Sequence, residues 1–410
     1  MKRINILTVN NNPNSLSFVF PFLVNKVGLK ERGIKARFFY GIKDDLYDCD
    51  AVFIDNKFFT PNWHRVGEGF QHLQKKKEED IFITLKKARE RTGAVLWFDN
   101  SDSTGTPQFE VLPYVDGYYK SAVLKDRSLY CKNFYRDRIF FDYYHKKFGI
   151  NDDFATAREY LPDAAHLKKI HLSWNPALNN HSILGNTYSR FGKLVSRMRR
   201  FLPVNFRYTA RFARVGRLRR IDIAARIGLT HPRKFVHFHR RMLTERLARF
   251  KIDTRFASHT LYYKELQNAK LSISPFGLGE ISYRDFESII CGALLIKPDM
   301  DHLRTWPDLY RDGETYVKCS WDFSDIGDKI DHLFSNPKRV AEIAKEAQRN
   351  YRYYLFGGGR DDFCDRIDEI TKRHKSSSLR APRSGAKQSG MVSEIASSPD
   401  VASRAPRKDG

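Results

Sequence analysis

The sequence predicts an α/β fold of two halves, each built on a mostly parallel sheet, that face each other across a cleft. Three observations support this prediction. The chain has 410 residues, more than one ordinary domain of about 150 residues needs. Strand and helix patterns alternate in its first part and again from residue 221, which is typical of βαβ units. Between these parts, residues 171–186 are rich in asparagine and turn formers, as a linker is.

In the first half, short apolar runs predict strands and longer periodic runs predict helices. A helix is expected through residues 22–29, ending near Gly33, and another at 78–91, which has acids first and bases last as the helix dipole favours. The expected strands are residues 4–9, 36–40, 51–54, 94–98 and 117–124.

The second half repeats the alternation. Pro337 stands at the first position of a long helix that we expect to reach about residue 354, and a glycine triplet then precedes a short charged helix. The other expected helices are 239–250, 261–268 and 326–334, and the expected strands are 221–227, 271–274, 293–296 and 316–317. We therefore predict domains at 1–170 and 221–373, a linker at 171–220 and a disordered tail at 374–410.

The charge is high and uneven. The formal net charge is +24, and between Arg190 and Arg249 the only acids are Asp222 and Glu245. Such a block favours polyanions: nucleic acid, an anionic membrane face or phosphorylated substrates. The five cysteines are widely spaced without a C-x-x-C, which predicts neither a disulfide framework nor a zinc site and indicates a reducing cytoplasm. The apolar runs are too short for a signal peptide or a membrane span, so we expect a soluble or peripheral protein.

Residues 274–298 read SPFGLGEISYRDFESIICGALLIKP. Gly277 and Gly279 follow a predicted strand, and glycines allow backbone conformations and close approaches that side chains prevent. Ser282 and Asp285 have the spacing of a capping box, which predicts the start of a helix. Gly292 has the usual position of a helix C-cap, and an apolar strand follows it. The stretch therefore predicts a strand, a glycine loop, a helix and a second strand.

This unit suits a phosphorylated sugar ligand. The free amide groups at a helix N-terminus bind phosphate. Glu287 lies about one turn into the helix, and its side chain leans back toward that end, where it can accept hydrogen bonds from sugar hydroxyls. Arg284 can offset the charge. These features favour a nucleotide sugar, and the structural alternative is an ordinary βαβ turn in which Glu287 is solvated.

The same stretch resembles the donor-binding segment of GT-B glycosyltransferases, especially the exostosin-like and group 1 types. That segment has a glycine-rich loop, an Arg-x-x-Glu on the next helix, a small-Gly turn and an apolar strand ending in Pro or Asp. Here RDFE at 284–287, CGA at 291–293 and LLIKP at 294–298 follow that order. RDGETYV at 311–317 and SNPKRVAEIAKEA at 335–347 also resemble the family's ending. The resemblance covers residues 261–354 well and the first half in architecture only.

The resemblance implies two Rossmann-like domains, with the acceptor bound by residues 1–170 and the nucleotide sugar by 221–373. It implies transfer of a sugar to a hydroxyl of a glycan or lipid-linked acceptor, in bacterial surface polysaccharide synthesis. Six residues separate Glu280 from Glu287, one fewer than in many retaining members, so the role of Glu280 and the stereochemistry stay open. The implied donor-site residues of the stretch are Gly277, Gly279, Glu280, Ser282, Tyr283, Arg284 and Glu287.

Basic residues follow the predicted strand at 221–227. Arg226 ends that strand, and Lys234, Arg240 and Arg241 come near the start of the next helix. In the family that the chain resembles, a basic residue of this region neutralises the leaving diphosphate. Fixed positive charge would make a metal ion unnecessary, so no cofactor is expected. Taken singly, each of these residues is better explained as part of the general basic block, but the four together are not.

Asp99 and Asp102 follow the predicted strand at 94–98, in the sequence WFDNSDS. The carboxyl end of that strand should face the cleft. An acceptor hydroxyl needs a general base, and a carboxylate there can serve as one. The alternative is a structural role in an Asx-turn and helix cap, which Asp and Ser commonly form.

Other motifs give weaker indications of function. Asp299 and Asp301 form a D-x-D pattern that matches a metal motif of another glycosyltransferase fold, but here it follows a strand and is interpreted as a loop. His237 and His239 lack a third ligand nearby, so a metal site is not predicted. His64 is a single loop histidine without an assigned role.

Residues 189–202 (SRFGKLVSRMRRFL) place apolar side chains on one helical face and basic ones on the other. That pattern suits an anionic membrane surface, and a helix packed on the protein is the alternative. We therefore expect a cytoplasmic protein that can lie on the inner face of the membrane. The rival function is a basic nucleic-acid-binding protein that keeps a degenerate donor fold. No helix-turn-helix, zinc finger or aromatic-basic RNA motif supports nucleic acid as a partner.

Overall fold

The structure is a computed structural model that describes residues 1–10, 12–59, 69–101, 104–105, 107–152, 160–181, 206–216, 218–250 and 252–375, with the backbone alone for 69–78. Asp102, the amphipathic segment at 189–202, His64 and the tail from residue 376 lie outside this part of the chain.

The first half is built on a parallel sheet of six strands. These are β1 (Lys2–Leu7), β2 (Ile34–Phe39), β3 (Ala51–Asp55), β4 (Ala94–Asp99), β5 (Gly117–Lys120) and, after the short β6 (Ala122–Leu124), β7 (Ile170–Leu172), in the order β2-β1-β3-β4-β5-β7. The helices are α1 (Pro13–Val24), α2 (Lys26–Glu31), α3 (Gly69–Arg91), α4 (Ile139–Phe148) and α5 (Ala164–Leu167). Every residue of β3 and β4 is buried, as expected where both faces of a parallel sheet are covered.

The second half is built on a parallel sheet of four strands. These are β8 (Ile221–Ala224), β9 (Ala269–Ile273), β10 (Leu294–Pro298) and, after the short β11 (Leu303–Thr305), β12 (Val317–Cys319), in the order β12-β10-β9-β8. The helices are α6 (Lys234–Arg246), α7 (His259–Asn268), α8 (Tyr283–Cys291), α9 (Ile326–Ser335) and α10 (Pro337–Phe356). The predicted α/β class with two parallel sheets is confirmed.

A strand pair and a returning helix are among the connections between the halves. Strands β6 and β11 pair antiparallel, so each half contributes one strand to a ribbon. The last helix, α11 (Gly359–Lys375), returns to the first half, where Asp368 accepts a 2.7 Å hydrogen bond from the Lys2 ammonium. Its Phe363 ring packs against Phe22 and Trp174 at centroid distances of 5.3 and 5.2 Å. The packing of the first half is thus completed by helix α11.

Several predicted boundaries differ from the structure. The single strand predicted at 117–124 is two strands, because the chain leaves the first sheet after Lys120 to let β6 pair with β11. β7 joins the first sheet at the point where the linker was expected to begin. Helix α6 begins at Lys234, before the expected residue 239. No helix among the described residues is both long and apolar enough to cross a membrane.

Candidate functional site

The carboxyl ends of the two sheets face each other. Residues that follow β4 and β5, among them Asn100 and Ser121, line a cavity together with Glu280, Ile281 and Tyr283, which follow β9. Ligands of open parallel sheets bind at this end of the strands. The cavity is therefore the candidate site, and its walls come from both halves.

A hydrogen-bonded network fixes the loops at the carboxyl ends of the central strands of the first sheet. Asp55, at the end of β3, accepts from the Thr8 hydroxyl at 2.7 Å and from the Asn100 amide at 2.9 Å. The Asn56 side chain accepts from the Asn100 backbone N–H at 2.9 Å. Burial raises the pKa of Asp55, although the hydrogen bonds from Asn100, Thr8 and the Lys57 N–H oppose this shift. These bonds hold the loops after β3 and β4 in place under the cavity.

Asp99, predicted as a candidate base, has no exposed surface. Its carboxylate accepts from the Lys120 ammonium at 2.6 Å, the Tyr118 hydroxyl at 2.6 Å and the Ser101 N–H at 2.9 Å. Asn56 supplies a fourth donor at 3.2 Å. Although burial opposes ionisation, the Lys120 charge and these donors lower the Asp99 pKa. A carboxylate so occupied positions its neighbours and is poorly suited to accept a proton. Asp102 lies outside the described residues.

The predicted helix cap at the second sheet is confirmed. Ser282 and Asp285 form a capping box at the start of α8, and Gly292 ends the helix in the left-handed conformation with φ 72°. Asp285 also accepts a 2.8 Å bond from the Tyr310 hydroxyl and forms a 3.2 Å ion pair with Lys297, in which both side chains are fully buried. The cap is therefore anchored to strand β10 and to the loop after β11.

The loop after β9 does not use the backbone conformations that favour glycine, so this part of the prediction is wrong. Neither Gly277 nor Gly279 has a positive φ angle, so the backbone does not require glycine at either position. A Cβ atom added to Gly277 would meet nothing within 4 Å. The absence of a side chain there leaves open space beside the loop instead.

Glu280 joins the halves. It is buried, and it accepts from the Thr104 hydroxyl at 2.7 Å and from the Thr104 N–H at 3.2 Å. The His302 imidazole lies 3.8 Å away, a distance at which the contact is electrostatic and not a hydrogen bond. Burial raises the pKa of Glu280, but His302 and Thr104 outweigh it and lower the value to about 2. Glu280 is therefore ionised and bound to the first half in this structure.

Tyr283 and Ser282 lie at the same end of α8. The Tyr283 hydroxyl is 3.1 Å from the Ser17 hydroxyl of helix α1, a second contact across the cleft. Ser282 is used by the cap, since its hydroxyl accepts from the Arg284 N–H at 3.4 Å. Of these two predicted residues, Tyr283 lines the cavity directly and Ser282 supports it.

Arg284 and Glu287 lie in a partly buried polar cluster next to the cavity. Arg284 donates to the carbonyls of Ile273 and Arg226 at the carboxyl ends of β9 and β8, while its Nε has no acceptor among the described residues. Glu287 accepts a 3.3 Å bond from the Tyr263 hydroxyl, and burial raises its pKa. Tyr262 lies within electrostatic reach of both charges, and its buried hydroxyl has no hydrogen-bond partner in the described part of the chain. The cluster holds polar atoms whose bonding capacity is unused.

Arg240 belongs to the same cluster. It donates to the Gly228 carbonyl at 2.8 Å, and its buried Nε has no acceptor within the described segments. Burial, and then the neighbouring Arg284 charge, lower its pKa. Lys297 is also influenced by Arg284, and burial lowers its pKa too. Arg240 and Arg284 thus lie within electrostatic reach of each other, and their two charges favour an anionic ligand, whereas Lys297 is paired with Asp285.

The other predicted basic residues lie elsewhere. Arg226 forms ion pairs with Glu265 and, at 2.8 Å, with Asp253, so its charge is already compensated. Arg241 is exposed and pairs along α6 with Glu245 at 3.5 Å. Lys234 is the exposed first residue of α6. The structure therefore favours Arg240 and Arg284 over Arg226 and Arg241 as anion-binding residues.

The remaining motifs have structural partners. Asp301 and Asp299 both face Lys318, the latter at 3.5 Å. His239 is buried, receives the Phe276 N–H at 3.0 Å on Nε2 and contacts the Tyr144 hydroxyl through Nδ1 at 2.5 Å. Because the Tyr144 hydroxyl donates to the Trp321 carbonyl, the His239 proton lies on Nδ1. No group of three or more metal-ligating side chains occurs among the described residues.

Sequence reasoning missed Thr104, Lys297, His302 and Tyr262. Lys297 reads as part of an apolar strand, and Tyr262 as part of a helix face. Their roles depend on contacts between segments far apart in the chain, for which the local sequence has no signal.

No known protein family matches the sequence, and no curated protein matches it either. Solved structures of similar architecture include HepE from Anabaena in complex with UDP-glucose, with 10% identity over 90% of this chain and 100% of that chain and a TM-score of 0.40. Another is an α-glucosyltransferase in complex with UDP and a 13-mer DNA containing a HMU base, with 10% identity, 90% and 99% coverage and a TM-score of 0.42. A glycosyltransferase from Rickettsia africae has 12% identity, 91% and 98% coverage and a TM-score of 0.38.

Proposed function

We propose that the protein is a glycosyltransferase that moves a sugar from a nucleotide-sugar donor to an acceptor hydroxyl. The observation that carries the proposal is the partly buried cluster of Arg240, Arg284 and Glu287 at the carboxyl end of the second sheet. Two guanidinium groups there have buried Nε donors without an acceptor among the described residues, an arrangement that costs free energy until a ligand supplies one. Diphosphate oxygens are suitable acceptors, and guanidinium groups bind them strongly.

Glu287 supplies the complementary chemistry. A carboxylate repels phosphate but accepts hydrogen bonds from the ribose hydroxyls of a nucleotide. Its pKa is raised by burial, and a hydrogen bond in such surroundings is stronger than in water. The loop with open space beside Gly277 gives the donor room to approach. The sugar would then point into the cavity lined by Glu280 and Tyr283.

In the reaction, the bond between the sugar carbon and the diphosphate oxygen breaks as the acceptor oxygen bonds to that carbon, and the proton of the acceptor hydroxyl passes to the leaving diphosphate. Negative charge develops on the leaving diphosphate, and Arg240 and Arg284 are placed to stabilise it. We therefore propose transfer without a metal ion. Turnover in excess chelator is expected to continue, and complete loss restored by magnesium or manganese would contradict this.

The acceptor is proposed to bind the first half and to be a glycan or lipid-linked molecule of bacterial surface polysaccharide synthesis. The cavity wall formed by Asn14, Asn100 and Ser121 presents hydrogen-bonding groups suited to sugar hydroxyls. A cytoplasmic location on the inner face of the membrane would place the protein beside such an acceptor.

The test is a thermal-shift and calorimetric panel of UDP-, GDP- and ADP-sugars. One donor is expected to stabilise the parent, and Glu287→Ala is expected to abolish that stabilisation while remaining folded. Glu342→Ala, which changes an exposed glutamate on α10, is the matched control and should bind as the parent does. Unchanged donor affinity in Glu287→Ala would contradict the site.

A basic nucleic-acid-binding protein is the second candidate, because the +24 charge includes exposed Arg207, Arg211 and Arg214 in the segment 206–216. DNA or RNA binding would fall steeply between two salt concentrations, since phosphate contacts release counterions. Stabilisation by nucleic acid, with none by any nucleotide sugar, would favour this candidate.

A further inference from the structure

A second cavity of about 350 Å³ lies beside the β6–β11 ribbon and shares no lining residue with the candidate site. Its walls come from the ribbon, the loop that follows β11, and helix α11 of the returning chain end. The volume is within the range of small-molecule sites and exceeds that of a free phosphate ion. The cavity thus has the size of a small organic ligand.

The cavity is electropositive. Lys125, Arg304 and Arg366 line it, and none of the three lies within 4.0 Å of a carboxylate of the described residues. The carboxylate of the lining Asp308 instead accepts from the Tyr310 N–H at 3.2 Å. The Arg366 guanidinium donates one bond to the Leu172 carbonyl at 3.0 Å, and it lies 4.3 Å over the Trp306 ring.

A further cation stands behind this wall. Arg127 donates to the Ile170 carbonyl at 2.8 Å, and its pKa is lowered by burial and by the charge of Arg304. Burial likewise lowers the pKa of Arg366. Three cations against the one carboxylate of Asp308 leave net positive charge around this space, and an anion stabilises such charge, so the chemistry of the ligand follows from the wall.

We propose that this cavity binds a small phosphorylated molecule, with its phosphate between Lys125, Arg304 and Arg366 and its organic part against Trp306. The three cations converge from three segments, which suits the several oxygens of one phosphate group. The Trp306 ring offers an apolar face on which a sugar ring can lie.

The site is joined to the cleft. The lining Tyr310 donates its hydroxyl to Asp285, which caps the helix that carries Arg284 and Glu287. Asn175, which lines the cleft cavity, donates to the Trp306 carbonyl at 2.7 Å and to the Pro307 carbonyl at 2.7 Å. A ligand at Trp306 therefore touches residues that hold both walls of the candidate site.

The probe is glucose-6-phosphate, with glucose as the neutral control, in isothermal titration calorimetry on the full chain. The parent is expected to bind the phosphate and not the neutral sugar. Arg304→Gln with Lys125→Gln changes two exposed side chains and is expected to weaken binding on the order of tenfold or more, as loss of charged hydrogen bonds does. Arg211→Gln, also exposed, is the matched control and should bind as the parent does.

A second arm identifies the source of the phosphate. Vesicles of phosphatidylcholine with phosphatidic acid present the phosphate on a lipid. If the parent binds these vesicles and not glucose-6-phosphate, and if the double variant at Lys125 and Arg304 loses vesicle binding, the cavity binds a lipid-borne phosphate. Glu287→Ala should keep whichever binding is found, which separates this site from the donor site. The proposal is overturned if neither probe binds the parent, or if the double variant binds as tightly as the parent does.

Discussion

Removing either partner of the buried ion pair between Asp99 and Lys120 should destabilise the protein strongly. Lys120→Met leaves the Asp99 carboxylate with three neutral donors, and Asp99→Asn leaves the Lys120 ammonium without an anion. The two side chains are 0% and 1% exposed, so water cannot replace the missing partner. The perturbation thus isolates a buried charge in each variant.

The magnitude follows from this environment. Breaking a buried pair by removing one partner costs about 3–5 kcal/mol of unfolding free energy. Lys120→Met should lie at the lower end, because Tyr118, Asn56 and Ser101 still donate to the carboxylate. The double variant Asp99→Asn/Lys120→Met buries no charge, and we expect it to recover on the order of 2 kcal/mol relative to the sum of the single variants.

Urea denaturation followed by tryptophan fluorescence measures these differences, and Trp97 on the same strand β4 is fully buried and reports on it. Once a donor is known, turnover is measured in the same variants. If Asp99→Asn unfolds like the parent but loses all turnover, Asp99 is a catalytic base and its assignment to a structural role is wrong.

Gly292→Ala should destabilise the folded protein by more than about 1 kcal/mol, since the φ of Gly292 is 72° and a Cβ would lie 2.6 Å from the Arg219 guanidinium. Gly277→Ala should leave the stability unchanged, and thermal unfolding of the two variants tests the difference. The His239 pKa is lowered to about 3, by burial first and then by nearby cations, so the unfolded chain gains a proton below pH 6.5 that the folded chain does not. Unfolding free energy should therefore fall by about 1 kcal/mol from pH 7 to 5.5 because of this group, and His239→Gln should show a correspondingly smaller fall. Changing the three arginines within 197–200 to Gln should reduce sedimentation with anionic vesicles and leave donor binding intact; equal sedimentation would contradict membrane binding by 189–202.

Local patterns predicted the parts of the fold that local interactions decide. The capping box at Ser282 and the C-cap at Gly292 are each set by neighbours within a few residues, so both ends of α8 were predicted correctly. The β6–β11 ribbon was missed because each strand has three residues and its partner is far away in the chain. A strand of that length has no periodicity from which to recognise it.

In the candidate site, too, the sequence predicted the features that depend on neighbouring residues. Arg284 and Glu287 were found because an Arg-x-x-Glu on a capped helix is a local pattern. The sequence could not show that Arg226 is neutralised by Glu265, thirty-nine positions later, or that Thr104 binds Glu280 across the cleft. Such pairings are decided by tertiary structure, and they determine which charges remain available to a ligand.

The return of helix α11 to the first half has a consequence for synthesis of the chain. Phe22 and Trp174 have already left the ribosome long before Phe363 is made, and until then part of their apolar surface has no cover. The first half therefore cannot complete its packing until helix α11 has been made, even though its six strands are complete by Leu172. A nascent chain in that interval is exposed to aggregation and is a natural client for chaperones that bind apolar surface. Expression of residues 1–220 alone would make that interval permanent.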